Sequence, residues 1–107
     1  MSAKYWQRGE TIDYTATEAV SNGDVVDLAT RIGVAGNDIA ANETGAVHVV
    51  GVFEIPKATG EITLGAAVYW DKSAKNITTT SESNTPAGWA VAAAKSADAT
   101  VLVKLLG

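Results

Sequence analysis

A chain of 107 residues with 47% hydrophobic and 19% charged residues has enough apolar material to fold, with length for one core and not two. Twelve acidic against eight basic residues give a net charge of −4, which argues against a nucleic-acid groove. The absence of cysteine excludes disulfides and thiolate-bound metals. No run approaches the roughly eighteen apolar residues of a membrane span, and the N-terminal octet lacks the apolar centre of a signal peptide, so the expectation is cytoplasmic synthesis, without secretion and without a membrane partner.

The octet itself holds Lys4, Tyr5, Trp6, Gln7 and Arg8 ahead of any regular pattern. It reads either as the start of the first strand, packed on its own core, or as an arm whose rings anchor to a partner. The alternation proper begins at Thr11–Thr15, with Ile12 and Tyr14 on one side and Thr11, Asp13 and Thr15 on the other. The domain division is therefore an arm over residues 1–10 and one β domain over residues 11–107.

Ser21-Asn22-Gly23-Asp24 supplies an Asn-Gly turn between Val20 and Val25, read as a tight hairpin, and Gly36-Asn37-Asp38 supplies a second hairpin signal before Ile39. Residues 45–56 then read as one long strand. Val47, Val49, Phe53 and Ile55 form its core face, while the other carries Ala46, His48, Val50, Val52 and Glu54. A strand apolar on both faces is either central in a sandwich or barrel or covered by a partner chain, and His48, Val50 and Val52 are the candidate oligomer contact.

Residues 66–70 and 77–80 read as further strands around a polar turn, and residues 81–86 as the loop with the greatest freedom to move. A closing pair spans residues 89–94 and 100–106, with Val101, Val103 and Leu105 inward. The alanine-rich piece 90–97 could also be helical on propensity. The fold class is thus all-β, a small barrel or sandwich of short strands with at most one short helix. Val20, Gly23, Val26 and Leu28 share their spacing with Ile62, Gly65, Val68 and Trp70. That echo reads either as the ordinary likeness of two glycine-turn strands or as two similar halves of a small barrel.

Catalytic chemistry finds little to work with. The one histidine, His48, sits among valines with no nucleophile and acid placed beside it by sequence, and no metal-ligand spacing is present. The two glycines of residues 60–65 have phosphate-loop spacing, but Ala66-Ala67 stand where lysine and a hydroxyl are required, so no nucleotide cofactor is expected.

The ordered set Lys4-Tyr5-x-Gln7-x-Gly9-x-Thr11-Ile12-Asp13-Tyr14-Thr15, Ser21-x-Gly23-Asp24-Val25-Val26, Gly33-Val34-Ala35 and Asp38-Ile39-Ala40 is distinctive. It continues through Glu43-x-Gly45-x-Val47, Gly51-Val52-Phe53-Glu54-Ile55-Pro56-Lys57 and Gly65-Ala66-Ala67-Val68-Tyr69-Trp70-Asp71. It resembles a family of small tailed-phage and prophage capsid decoration, or cement, proteins, long catalogued as a domain of unknown function and sometimes labelled predicted recombinases. The resemblance implies a compact β protein on the outer surface of the virion, bound to the major capsid protein as a homo-oligomer of trimer type. It carries over no catalytic residue, cofactor or metal. In that setting Lys4–Arg8 would be the capsid-binding arm, and His48, Val50 and Val52 the contact between copies. Two other functions are weighed beside it: a carbohydrate-binding or adhesion module stacking sugars on Trp6, Trp70 and Trp89, and a recombination accessory factor.

Overall fold

The computed structural model describes residues 2–106; Met1 and Gly107, the outermost residues of the arm and of the β domain, lie outside them. Among the described residues there is no helix, and nine strands form two antiparallel sheets. They are β1 (Thr11–Thr15), β2 (Val25–Asp27), β3 (Ile32–Ala35), β4 (Thr44–His48), β5 (Val52–Pro56), β6 (Ala67–Asp71), β7 (Asn76–Thr78), β8 (Thr85–Ala90) and β9 (Thr100–Leu105). The first sheet runs β1-β4-β3-β2 and the second β5-β9-β8-β6-β7. The result is a sandwich; neither sheet closes into a barrel, although a single parallel bridge between Lys57 and Ile77 spans the open side of the second.

The stretch 45–56 is not one strand. It breaks at Val49-Val50-Gly51, where Gly51 takes φ 127°, a conformation open to glycine at little cost. The turn hands the chain from β4 in the first sheet to β5 in the second, and Leu105 N–H locks it by donating to the Gly51 carbonyl at 2.9 Å. Alternation alone does not reveal such a corner, because Val49 and Phe53 remain inward on either side of it.

The Asn-Gly turn is real but makes no hairpin. Asp24 N–H donates to Ser21 O at 2.9 Å and, of the two central residues, only Gly23 has positive φ, which defines a type II turn. Type II twist splays the flanking chain, so Val20 bridges Ile39 while Val25 pairs with Val34. Gly36-Asn37-Asp38 likewise joins β3 to that bridge and not to a paired strand; Gly36 N–H donates to Ala46 O. The loop read at residues 81–86 is shorter, since Thr85 and Pro86 open β8. Residues 90–97 are not helical: Ala90 ends β8 and Ala94 bridges Ile62, tertiary pairing that overrides the alanine propensity.

The sequence echo is a structural one. Val20 and Ile39 exchange two backbone hydrogen bonds, as do Ile62 and Ala94; Gly23 N–H donates to Ala35 O, and Gly65 N–H to Ala90 O. Val25↔Val34 and Val26↔Gly33 in the first sheet match Ala67↔Trp89 and Val68↔Gly88 in the second. Strand order completes the match, β1-β4-β3-β2 against β5-β9-β8-β6. The molecule is one four-stranded unit built twice, with β7 added to the second copy.

Two hydrophobic clusters result, where length alone suggested one. The first gathers Ala16, Val26, Ala35, Ile39, Val47 and Val49. The second gathers Ile55, Val68, Trp70, Ile77, Val101, Val103 and Leu105 with their neighbours, and takes in Ile32 and Val34 from the far face of β3. That far face is how the first sheet is bolted to the second. Thr85 Oγ1 adds a cross-sheet hydrogen bond to Asp27 Oδ2 at 2.9 Å.

Candidate functional site

Residues 2–9 have no strand assignment and stand off the body, with Tyr5 79% and Trp6 86% exposed. Their rings therefore do not belong to this chain's own core, which settles one of the two readings of the octet. Arg8 makes an exposed ion pair with Glu10 at 3.4 Å, a contact of small energetic weight that leaves the rings uncovered. The five residues Lys4, Tyr5, Trp6, Gln7 and Arg8 thus form one accessible basic and aromatic segment.

The corner at residues 49–51 separates the three residues that alternation placed together. Val50 and Val52 are exposed, Val52 on the outer face of β5. His48 is half-buried at the end of β4, its ring 5.8 Å from the Phe53 ring with 41° between the planes. It lines a groove of about 290 Å³ between the sheets together with Val25, Val34, Phe53 and Ile55. The groove is mostly apolar, with Asn22 and Glu54 also in its lining, and no hydroxyl or thiol side chain lines it. Among the described residues no group of three His, Cys, Asp or Glu side chains is placed to hold a metal.

The matching faces of the two sheets, the one that carries Val34 and the one that carries Trp89, differ in chemistry. Asp13, Thr15, Thr44 and Ala46 are exposed on the first. On the second, Val52, Trp89 and Leu102 are exposed around Lys104, which pairs with both Val52 and Trp89. Leu102 was not singled out in the sequence, and Trp89 only as a stacking candidate; the signal for both was their alternation with inward Val101, Val103 and Ala90. Trp70 is buried in the second core and drops out as a stacking residue, while Trp6 and Trp89 are exposed on separate parts of the molecule.

Lys57 was also missed. It is 8% exposed, and its Nζ donates to the carbonyls of Lys95 and Ser96 at 3.0 and 3.2 Å, tying down the loop before β9. A buried lysine bonded to two carbonyls is a fastener for that loop, and its charge is not displayed to a ligand.

A family model described as phage cement protein matches residues 6–105 of the chain, both four-stranded units and the end of the arm. No curated protein and no solved structure matches it.

Proposed function

This chain belongs to the phage cement protein family, and from that premise we propose that it decorates the outer surface of a phage head by binding the major capsid protein of the expanded shell. Membership carries the coarser statement, a structural bacteriophage protein with a capsid decoration role. The observation behind the finer one is the arm: Tyr5 and Trp6 are the most exposed large apolar side chains among the described residues, flanked by Lys4 and Arg8.

Large rings that remain outside their own core contribute binding area when a partner groove covers them, on the order of 1–3 kcal/mol each. The two cations add orientation and rate of encounter more than affinity. A ligand that binds the expanded lattice and not its precursor stabilises the expanded state by mass action, with no chemistry required of it. Several arms on one homo-oligomer turn weak single contacts into firm attachment. The copies associate as a trimer through the surface that includes Val50 and Val52, with His48 at the base of the neighbouring groove.

Co-sedimentation of the purified protein with expanded and unexpanded heads tests the reading. Binding to expanded heads alone, lost on deletion of residues 2–8, is expected. Equal binding to both head forms, or undiminished binding of the truncated chain, rejects it.

A further inference from the structure

The outer face of the second sheet exposes Val52, Trp89 and Leu102 around Lys104 and Glu54, and the interior of the molecule shows what covers the β3 end of its counterpart in the first. By register, Trp89, Lys104 and Val52 occupy the places in the second sheet that Val34, His48 and Thr11 occupy in the first. In the first sheet the β3 end of that face is covered, while Thr11 is half-buried and Ala46, the match of Leu102, is exposed. Val34 is buried in the second sheet's core cluster, and His48 lies against Phe53. In the second sheet nothing lies over the same places, and Val52, Trp89 and Leu102 are 51%, 41% and 40% exposed.

The opposite faces show the complementary difference. Ile55, Ile62 and Trp70 are buried on the inner side of the second sheet, in the cluster that contains Ile32 and Val34. Their counterparts in the first sheet, Tyr14, Val20 and Leu28, are only half-buried and pack at the margin of the smaller cluster. The two units are therefore stacked front to back, which leaves one uncovered back, with Val52, Trp89 and Leu102 around Lys104, and one partly open front.

We propose that a second copy of this chain fills the vacancy: its first sheet lays the Tyr14, Val20 and Leu28 side on the outer face of the second sheet at Val52, Trp89 and Leu102. The contact repeats between molecules the stacking that joins the sheets within one. Charge favours this partner over two first sheets meeting. Residues 10–50 hold seven carboxylates and one arginine, whereas residues 52–106 hold five carboxylates and five lysines. First-on-first contact sets like charge against like, and first-on-second does not. Because the two surfaces differ, the association is head-to-tail, closing as a ring when the rotation allows. The inference rests on the reading that copies associate, and names the surfaces by which they do so.

Sedimentation velocity on the full chain, with paired variants, tests it. Leu102→Lys should weaken self-association about tenfold or more, while Ala46→Lys, at the matching exposed place on the first sheet, should leave it unchanged. Both should keep the wild-type melting temperature, which separates lost contact from lost fold. Since the chain has no cysteine, Val20→Cys and Trp89→Cys proteins can be mixed and oxidised; the mixed disulfide should exceed either self-pair. Dominant Trp89→Cys self-pairs, or equal effects of the two lysine variants, would overturn the proposal. A wild-type chain that stays monomeric at about 100 µM also overturns it, even if it still binds heads. Self-association without head binding fails the decoration reading and leaves this one supported.

Discussion

Val26, Ala35, Ile39 and Val47 line the inner side of the first sheet, and Val68, Ala90, Ala94 and Val103 stand at the matching places in the second. The same ladder and the same type II turn carry both sets, yet the second is better sealed. Ile55, Ile62 and Trp70 are buried where Tyr14, Val20 and Leu28 are half-exposed. The difference is one of cover. The second unit receives Ile32 and Val34 from the first and Ile77 from the added strand β7, and the first unit receives nothing equivalent. Burial in this fold is set less by the strand that carries a residue than by what lies across from it.

The sharpest test of that comparison is the pair of matching glycines in β3 and β8. A Cβ at Gly88 would overlap the Lys104 backbone carbonyl, at a φ of 149° that side chains rarely adopt. Backbone held in a ladder cannot step aside, so Gly88→Ala should cost about 4 kcal/mol or more, or prevent folding. At Gly33 the closest atom is the end of the Val47 side chain, with the His48 carbonyl next at 3.0 Å. A side chain yields more readily, and Gly33→Ala should cost about 1–3 kcal/mol by denaturant melting. Equal losses at the two sites would mean that the backbone contact at Gly88 is no costlier than the side-chain contact at Gly33, and the contrast between the units would fail there.

Next in size is the strand that the first unit lacks. Ile77 is wholly buried, and Ile77→Ala should cost about 2–5 kcal/mol, with hydrogen exchange rising first in β6 and β7. Protection lost equally in β2 and β3 would show that the two cores melt as one.

Lys57 then separates the units again. Lys57→Ala leaves two loop carbonyls without their donor and should cost about 1–3 kcal/mol in chemical denaturation. The smallest pair is His48 and its match Lys104, one at the junction of the sheets and one outside. His48→Ala should cost about 1 kcal/mol through lost packing on Phe53, while Lys104→Ala should stay within about 0.5 kcal/mol. Neither should alter any turnover of an ester, glycoside or nucleotide, and a rate that vanished with His48 would break the non-enzymatic reading.

The sequence by itself determined the all-β class and the inward residues of β1, β4 and β9, whereas the exposure of Tyr5 and Trp6 in the arm was one of two readings until the structure showed it. The first two are local: period-two alternation and turn chemistry act over a few residues, so they can be read without knowing the fold. The echo between the units was present for the same reason, in Val20, Gly23, Val26 and Leu28 against Ile62, Gly65, Val68 and Trp70, but spacing alone did not separate a repeat from the ordinary likeness of two glycine-turn strands. What it could not show was that residues 45–56 belong to two sheets, because the corner at Gly51 preserves the inward pattern on both sides. Nor could it place His48 against Phe53, bury Lys57 beneath the carbonyls of residues 95 and 96, or set Trp89 and Leu102 on an open face. Those outcomes depend on which sheet lies over which. That choice was made by Ile32 and Val34, whose side of β3 faces the other unit, and no period along the chain records the packing of one sheet on another.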